Sequence, residues 1–437
     1  MCAIYGIIGQ NNIELLKKMS ASQIFRGPDS QEFYDHKETN VSFGINRLAV
    51  IDRELGIQPM LSWNKKFILV FNGAIYNFRE IKKVLLKKNI NFKTNSDTEV
   101  VVNSYAFWGD QAFNYFDGMW ACCIYDIEKH KIILSRDYLG QKPLFYYKDK
   151  SKFIFSSQIG GIFLGENNFS VKPENLKKYY AFSHTPAPFT VYNNVFQLKP
   201  GEILSISTKN LEVKSKIFWD ISDGPDFNEY FNNNHFNKFK SGFTEIVLKH
   251  SIADNKVGLL LSGGKDSNII KKNLEKRYKD FKTFTLGFED ETYDESKYIK
   301  KDNQFNNIIK ILSKGDIINN FKKISNNFDY AFGDSSILPT FSIFNEVAKS
   351  TNVAITGDGG DENFFGYITF DAFYLAINLK KILPNFIFKY ISNLFNLFSN
   401  NDEYISTSKK IKLFFKFLHC DLKYLNLHWL NNLNNRD

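Results

Sequence analysis

Two short segments of this chain carry residue types that could do chemistry. The first contains Cys2, which becomes N-terminal once Met1 is removed, so that a thiol and a free α-amine share one carbon skeleton. An α-amine titrates at about 7.7–8.0 and accepts a proton near neutral pH. A thiol with its own base needs no histidine partner. Cys2 is therefore a candidate nucleophile, although a cysteine at this position is usually an ordinary residue.

The second segment reads Leu-Leu-Leu-Ser-Gly-Gly-Lys-Asp-Ser over residues 259–267. Small residues between a strand and a helix let backbone N–H groups approach an anion at the helix N-terminus. Walker A spacing requires Ser or Thr directly after the lysine, but Asp266 follows Lys265. The pattern therefore excludes a kinase-type loop and indicates a phosphate loop of another kind.

The elements around Cys2 belong to a first domain that we place at residues 1–205. Short β-rich runs alternate with a few helical patterns, which predicts an α+β domain with layered strands. The predicted strands are Ala3–Ile8, Phe67–Phe71, Met119–Tyr125, Lys131–Leu134 and Phe153–Ser156, and the predicted helices are Ile13–Phe25, Phe78–Lys88 and Asp97–Trp108.

The elements around the phosphate loop belong to a second domain, which we place at residues 236–437 after a polar linker over 206–235. A helix is predicted to start near Phe236. Buried-strand runs at 257–261, 283–288 and 353–356 alternate with helical segments, which indicates a parallel α/β sheet. Beyond Tyr367 the pattern predicts helices.

Composition narrows the function classes. The net charge is +9, but the lysines are scattered among acidic residues, so we expect no nucleic-acid partner. Four cysteines in 437 residues do not form a disulfide framework, which favours a reducing cytoplasm. The start has no basic region before its short apolar run, unlike a signal peptide, and no segment predicts a membrane span.

Ordered segments of the first domain resemble the class II glutamine amidotransferases, the N-terminal-nucleophile glutaminases. They are Arg26–Asp29, Asn46–Asp52, Gln58–Met60, Phe71–Glu80, Ser96–Glu99, Ser135–Asp137 and Gly140–Leu144. The resemblance implies an αββα N-terminal-nucleophile sandwich in which Cys2 attacks the glutamine side-chain amide. It also implies an oxyanion hole from Asn72 and Gly73, a carboxylate clamp from Arg47, an ammonium site at Asp97, and further glutamine contacts from Leu48, Ala49, Val50, Ile51 and Ala74.

Two positions depart from that family's pattern. Ala74 stands where the family usually has a glutamate that helps to hold the glutamine ammonium, and Phe25 stands where a histidine is common. Losing a charge-assisted hydrogen bond weakens binding by about 1.5–3 kcal/mol. We therefore expect weaker glutamine binding than in family members with glutamate at position 74.

The phosphate loop resembles the Ser-Gly-Gly-x-Asp-Ser loop of N-type ATP pyrophosphatases. Three later segments, Phe284–Phe288 with Tyr293–Ser296, Gly333–Thr340, and Thr356–Glu362 with Phe365–Tyr367, resemble the asparagine synthetase family, so that the resemblance covers residues 1 to about 367. It implies ATP contacts from Leu260, Leu286, Thr356 and Gly357, pyrophosphate contacts from Ser262, Gly263, Gly264, Asp266 and Ser267, Mg²⁺ at Asp266 and Asp361, and a role for Asp358 in forming β-aspartyl-AMP.

The implied reaction converts aspartate to asparagine with ATP and glutamine-derived ammonia. Amidation of another carboxylate, such as a sugar acid, and an inactive or regulatory relic stay open; a nucleic-acid-modifying ATP pyrophosphatase is disfavoured because its glutaminase would be superfluous. Later family segments with a phosphate-binding lysine are absent between Tyr367 and Asp437, so we expect a synthetase domain incomplete at its C-terminus. A homodimer and a separate C-terminal half stay open as partners.

Overall fold

The computed structural model describes residues 1–224, 233–254, 256–291, 294–299, 307–396 and 407–430. Tyr293 of the Tyr293–Ser296 segment, linker residues 225–232 and the C-terminal residues 431–437 lie outside them. The chain divides into two compact units. One contains residues 1–176 and 185–356, and the other contains residues 177–184 and 357–437.

Residues 1–217 form two antiparallel sheets of six strands each. The first has the order β10-β8-β9-β1-β3-β2, and the second β12-β11-β7-β6-β5-β4. The strands are β1 (Ala3–Ile8), β2 (Ser30–His36), β3 (Val41–Arg47), β4 (Met60–Leu61), β5 (Phe67–Ile75), β6 (Gly118–Asp126), β7 (Lys131–Arg136), β8 (Phe145–Lys148), β9 (Phe153–Ser156), β10 (Val195–Gln197), β11 (Glu202–Ser207) and β12 (Val213–Ile217).

Side chains alternate between the two faces of each strand, so that each sheet packs against the other sheet on one face and against helices on the other. The result is a fold of four layers. On β5, Ile68 and Val70 point into a core between the two sheets, while Leu69 and Phe71 point into a second core on the outer face. Helices α1 (Ile13–Ser22) and α4 (Ile159–Phe163) cover the outer face of the first sheet, and α2 (Phe78–Leu86) and α3 (Asp97–Trp108) cover that of the second. The expected αββα sandwich is therefore confirmed.

Most predicted elements of this region occur within a few residues of their expected bounds. Strands β1 and β9 and helix α3 coincide with the prediction. Strand β5 runs four residues beyond Phe71, to Ile75, and so contains three candidate site residues. The predicted linker also needs correction in part, because β12 lies within it and pairs with β11 as an edge strand of the second sheet.

The second region contains the expected parallel sheet. Strands β13 (Gly258–Leu260), β14 (Lys282–Phe288), β15 (Asn307–Leu312) and β16 (Ala354–Ile355) have the order β15-β14-β13-β16 and pair in parallel. Strand β15 was not predicted, because its lysine interrupts the apolar run on which a buried strand is recognised.

Helices complete both units. After α5 (Pro173–Phe182) they are α6 (Asn233–His250), α7 (Lys265–Leu274), α8 (Lys314–Asn327), α9 (Ile337–Ala348), α10 (Gly360–Phe364), α11 (Ile368–Ile382), α12 (Asn385–Asn396), α13 (Thr407–Phe417) and α14 (Leu422–Leu430). In the second unit, Ala376, Phe388 and Leu425 belong to one apolar core. Within the described ranges, none of the helices is both long and apolar enough to cross a membrane.

Candidate active site

Three candidate residues lie at one end of the space between the two sheets. Val41, Phe43 and Ile45 of β3 face the inter-sheet core, so Arg47 continues that face by the two-residue period of a strand. Asn72 of β5 continues the face of Ile68 and Val70 in the same way. Cys2, directly before β1, packs against this core. The proposed nucleophile, clamp and oxyanion donor therefore all border the inter-sheet core.

Cys2 is held on two sides. Its Sγ lies 3.3 Å from the backbone nitrogen of Leu48, which donates to it, and 3.7 Å from the Leu48 carbonyl oxygen. Its own carbonyl oxygen accepts a hydrogen bond of 3.1 Å from Nε of Arg26. Cys2 is therefore fixed by the loop after β3 and by the short segment that contains Arg26.

The N-terminal amine lies among basic groups. It belongs to Met1 in the full chain, and burial lowers its pKa to about 6; the positive charges of Arg26 and Lys142 lower it further, against Cys2 and Asp29. Burial, with Arg26, also lowers the pKa of Lys142 to about 8. An amine in this environment is neutral near pH 7 and can accept a proton.

Asn72 presents an unused donor. The residue is 1% exposed, and its buried Nδ2 has no hydrogen-bond partner among the residues that the structure describes. A buried unpaired donor costs about 1–3 kcal/mol, so it is expected to serve a ligand. The next residue, Gly73, faces the Met119 carbonyl so closely that any Cβ would collide with it.

Arg47 is held in place by main-chain acceptors. Its Nη1 and Nη2 donate to the carbonyl oxygens of Arg53 and Asp52, each at 2.9 Å. Gly56 packs against it, since an added Cβ would lie 2.8 Å from Nη2 of Arg47 and 3.1 Å from Oγ of Ser96. Ser96 is the N-cap of α3 and precedes Asp97, so the predicted clamp and the predicted ammonium site lie near each other.

Asp97 is a buried carboxylate without a cation beside it among the described residues. Its Oδ2 accepts a hydrogen bond of 3.0 Å from the backbone nitrogen of Ile75, at the end of β5. Burial raises its pKa to about 6, and hydrogen bonds from Ile75, Thr98 and Ser96 offset only part of that rise. A bound ammonium group would return the carboxylate to its charged form.

The remaining predicted glutamine contacts surround this cluster. Ala74 lies on β5 two residues after Asn72, and therefore on the same face, with only a methyl group to offer. Ala49, in the loop over residues 48–51, donates its backbone N–H to Oδ2 of Asp29 at 2.8 Å. The loop that contains Leu48, Val50 and Ile51 is thereby tied to the Arg26–Asp29 segment.

The predicted pyrophosphate loop is organised by one serine. Ser267, in the first turn of α7, accepts a bond of 3.1 Å from the backbone nitrogen of Ser262 and lies 3.0 Å from its Oγ. The Ser262 Oγ in turn accepts from the backbone nitrogen of Gly264 at 3.1 Å. Ser262, Gly263 and Gly264 are exposed, while Ser267 is buried.

The predicted ATP contacts of the first unit lie along one edge of the parallel sheet. Leu260 ends β13, Leu286 lies toward the end of the adjacent β14, and Thr356 follows β16 on the other side. Leu260 and Leu286 pack against the same apolar cluster, which includes Phe284. The carboxyl edge of a parallel sheet is where α/β folds bind ligands.

The acidic candidates fall in both units. Asp266 lies in the first turn of α7, whereas Gly357, Asp358 and Asp361 belong to the other unit. There, Gly359 adopts a φ of +88° before α10, a backbone conformation that favours glycine. In the ranges that the structure describes, no three His, Cys, Asp or Glu residues form a group that could hold a metal ion by themselves.

Sequence reasoning gave no role to two residues at the first site. Arg26 and Lys142 both lie beside the N-terminal amine, and Lys142 Nζ is 3.3 Å from Sδ of Met1. Each belongs to a segment that carried the family resemblance. The motif segments therefore included both residues, but no local sequence pattern shows that Arg26 and Lys142 lie close to the N-terminus in the fold.

Comparison with known proteins finds two family models that match separate parts of the chain. A glutamine amidotransferase domain model matches residues 1–219, and an asparagine synthase model matches residues 238–430. A Methanocaldococcus jannaschii protein, provisionally named glutamine-hydrolyzing asparagine synthetase 2, is 34% identical over 424 residues, covering 89% of this chain and 79% of the relative. The Bacillus subtilis glutamine-hydrolyzing asparagine synthetase 1 is 30% identical, covering 84% of this chain and 59% of the relative.

Among solved structures, a glutamine phosphoribosylpyrophosphate amidotransferase from B. subtilis, in complex with ADP and GMP, matches with a TM-score of 0.39 and 17% identity over 63% of this chain and 64% of that one. This similarity is too distant to support a functional argument. The curated relatives differ in length, since the chain spans most of the archaeal protein and about three fifths of the bacterial one.

Proposed function

This chain belongs to the family of glutamine-hydrolysing asparagine synthetases, and we propose that it converts aspartate to asparagine with ATP and with ammonia released from glutamine. The proposed division of labour is a glutaminase that extends from residue 1 through β12, which ends at Ile217, and a synthetase over 236–437 that follows after a shortened linker. The observation that carries the first half is the unpartnered, buried Nδ2 of Asn72, on the face of β5 that borders the inter-sheet core against which Cys2 packs.

In the glutaminase half, the α-amine of the processed chain takes the proton of the Cys2 thiol. The sulfur attacks the side-chain amide carbon of glutamine, and the oxyanion that forms takes hydrogen bonds from Nδ2 of Asn72 and the backbone of Gly73. The protonated amine gives its proton to the departing nitrogen, ammonia leaves, and a thioester remains. Water then hydrolyses the thioester and releases glutamate.

Substrate recognition in this half rests on charge. Arg47, pinned by two backbone carbonyl groups, presents its guanidinium to the glutamine α-carboxylate. Asp97 receives the α-ammonium. Since Ala74 adds no second carboxylate, we propose that this chain binds glutamine more weakly than relatives with glutamate at that position, by about 1.5–3 kcal/mol.

In the synthetase half, the aspartate side-chain carboxylate attacks the α-phosphorus of ATP, so that β-aspartyl-AMP forms and pyrophosphate leaves. We propose that Ser262, Gly263, Gly264, Asp266 and Ser267 hold the pyrophosphate and that Leu260, Leu286, Thr356 and Gly357 contact the nucleotide. Ammonia then attacks the activated carbonyl carbon and displaces AMP, with Asp358 assigned to the adenylation step.

Mg²⁺ is the proposed metal cofactor, with Asp266 and Asp361 as its carboxylate ligands. Carboxylates suit this hard cation, which usually completes its coordination with phosphate oxygens and water. The ion would neutralise charge on the leaving pyrophosphate. We also propose that the protein acts in the cytoplasm, in keeping with the free thiols of all four cysteines.

The test separates the two halves. Aspartate-dependent pyrophosphate release and asparagine formation are measured with glutamine or with ammonium as nitrogen donor, in the wild type and in Cys2→Ala. We expect Cys2→Ala to lose at least a thousandfold with glutamine and to keep the ammonium-supported rate. If pyrophosphate release depends on another carboxylate instead of aspartate, that carboxylate is the acceptor. If the folded protein releases no pyrophosphate with any carboxylate, the synthetase assignment is overturned.

A further inference from the structure

The end of α6 and the residues after it lie against the region assigned to the glutaminase. In this docking segment, Lys249–Asp254, the imidazole ring of His250 stacks on the phenol ring of Tyr76, with ring centroids 3.8 Å apart and 23° between the ring planes. The backbone nitrogen of Asp254 donates to the carbonyl oxygen of Val50 at 3.1 Å. One segment of the region assigned to the synthetase therefore contacts two separate loops of the other region.

Both contacted loops adjoin groups that are proposed to act on glutamine. Val50 lies in the loop after β3, in which Leu48 donates its backbone N–H to Sγ of Cys2. Tyr76 directly follows β5, the strand that contains the proposed oxyanion donor Asn72. A shift of either loop would therefore displace a group that touches the nucleophile or the developing oxyanion.

The docking segment is fixed on the synthetase side. Ser251 is 1% exposed, and the hydroxyl of Tyr278 donates to its carbonyl oxygen at 2.9 Å and lies 3.0 Å from its Oγ. The Ser251 Oγ donates in turn to the carbonyl oxygen of Leu248 at 2.7 Å. Tyr278 follows α7, the helix that begins at the phosphate loop. These bonds tie the segment to the synthetase region, so that it can hold the glutaminase loops in place.

Apolar packing supports the segment between its two contacts. Ile252 packs against the apolar core on the outer face of the second sheet, and Ile51, the neighbour of Val50, packs against the same core. At the edge of the segment, Nζ of Lys249 lies 3.9 Å from Oε1 of Glu80 on α2. The contact thus includes a ring stack, a backbone hydrogen bond, apolar packing and an ion pair.

His250 contributes to this contact as an exposed residue. Its ring and that of Tyr76 are close enough for van der Waals contact between their faces, so the imidazole limits the positions that Tyr76 can take. Because His250 is exposed, its truncation leaves no internal cavity and should change the free energy of unfolding little. An effect of this residue on hydrolysis would therefore come from the position of Tyr76.

We propose that His250 is a positioning residue for glutamine hydrolysis: its ring holds Tyr76, and through Tyr76 the end of β5, in the position at which Asn72 meets the oxyanion. This role rests on the proposed glutaminase function of Cys2. It also gives a function to a contact between the two regions, because β13 and the phosphate loop follow the docking segment in the chain.

The test compares His250→Ala with His250→Phe in the full chain. His250→Ala removes the stacked ring, and we expect kcat for glutamine hydrolysis to fall about tenfold while KM for glutamine stays within about twofold, because a misplaced oxyanion donor acts on the transition state. His250→Phe keeps a flat ring on Tyr76 and should restore kcat to within about twofold of the wild type. The ammonium-supported rate should stay at the wild-type level in both variants, and an equal fall in that rate would contradict the role.

His36→Ala is the matched control. His36 also stacks on a tyrosine, Tyr34, with ring centroids 6.3 Å apart, and it pairs with Val41, at the opposite end of β3 from Arg47. His36→Ala should leave kcat for glutamine hydrolysis unchanged. A wild-type kcat in His250→Ala, an equal loss in His250→Phe, or an equal loss in His36→Ala overturns the proposal.

Hydrogen exchange separates this role from the glutaminase assignment. The backbone nitrogen of Tyr76 donates to the carbonyl oxygen of Asp117 at 2.7 Å. If His250 holds Tyr76, the peptide that contains this amide should exchange at least about fivefold faster in His250→Ala than in the wild type, and at the wild-type rate in His250→Phe. Unchanged exchange at Tyr76 contradicts the positioning role, whereas a wild type that hydrolyses no glutamine contradicts the glutaminase assignment. If His250→Ala does not fold, His250→Gln, which keeps a polar side chain without the ring, takes its place with the same expected results.

Discussion

The two candidate sites of this molecule are built in opposite ways. Around Cys2, the side chains of Arg47, Asn72 and Asp97 are at most 6% exposed, and the backbone and neighbouring loops fix them. In the phosphate loop, Ser262, Gly263 and Gly264 are exposed, and most of their hydrogen bonds are local. One site is enclosed before its substrate arrives, and the other is open.

The difference fits the ligand that we propose for each site. Glutamine has small charged groups and forms a single developing oxyanion, so donors fixed in a region of low dielectric act strongly on it. Pyrophosphate is large and highly charged and brings a metal ion with it, so a loop of backbone N–H groups at a helix N-terminus suffices. Loss of oxyanion stabilisation at the first site should therefore appear in kcat, and losses at the second site in nucleotide affinity.

The largest expected effect comes from Asn72→Ala, which tests the enclosed site. In Asn72→Ala the oxyanion loses a buried donor, and kcat for glutamine hydrolysis should fall by about 10²–10³. The free energy of unfolding should change by no more than about 1 kcal/mol, because Nδ2 makes no hydrogen bond that could be lost. Steady-state kinetics and urea denaturation measure the two quantities.

Asn103→Ala is the matched control for this prediction. Asn103 is also fully buried with an unpartnered Nδ2, but it lies on α3, and its Oδ1 accepts from the backbone nitrogen of Trp63 at 2.8 Å. The Asn103→Ala variant should be less stable than the wild type and keep the wild-type kcat for glutamine hydrolysis. Equal losses of kcat in both variants would mean that burial, and not the donor at position 72, supports hydrolysis.

An intermediate effect is expected from Asp97→Asn, and it should appear in the pH dependence of protein stability. Burial raises the folded-state pKa of Asp97 to about 6, so the folded protein binds this proton more tightly than the unfolded chain does. The resulting stability is fully present below the unfolded-state pKa and is lost as pH rises through about 6. Asp97→Asn should therefore be more stable than the wild type at pH 7.5 by up to about 2–3 kcal/mol, and no more stable at pH 4.

Thermal unfolding at both pH values checks this prediction, and glutamine kinetics gives its functional counterpart. If Asp97 receives the substrate ammonium, the more stable variant should also have a KM for glutamine at least about tenfold higher. A gain in stability without a change in KM would show that Asp97 is a buried acid that does not contact glutamine.

Local sequence patterns predict some elements of this molecule and miss others. Strand β1 and helix α3 follow from local periodicity, and the layers follow from the alternation of apolar residues on β5. Strand β12 was hidden because its exposed face, rich in lysine, makes it look like a linker. Strand β15, also interrupted by lysine, was hidden for the same reason.

For the first site, motif segments identified Cys2, Asn72 and Asp97, which lie directly before β1, on β5 and at the start of α3. The charges that tune the site could not be found locally. Arg26 is 24 residues from Cys2, whose carbonyl oxygen it bonds, and Lys142 is 141 residues from Met1, whose sulfur its Nζ approaches. Their proximity comes from tertiary packing, for which a single sequence offers no periodic signal.

The smallest expected effect concerns the open site. Ser267 is the one buried member of its loop and bonds to both the backbone nitrogen and the hydroxyl of Ser262. Since each such bond contributes about 0.5–1.5 kcal/mol, Ser267→Ala should raise KM for ATP in the ammonium-supported reaction about tenfold. Ser325→Ala, which removes only an exposed bond to Lys322, serves as control. Because the loop is open and its bonds are local, the loss should appear in ATP affinity and leave glutamine hydrolysis at the wild-type rate; an equal loss in both reactions would show that this loop also supports the enclosed site.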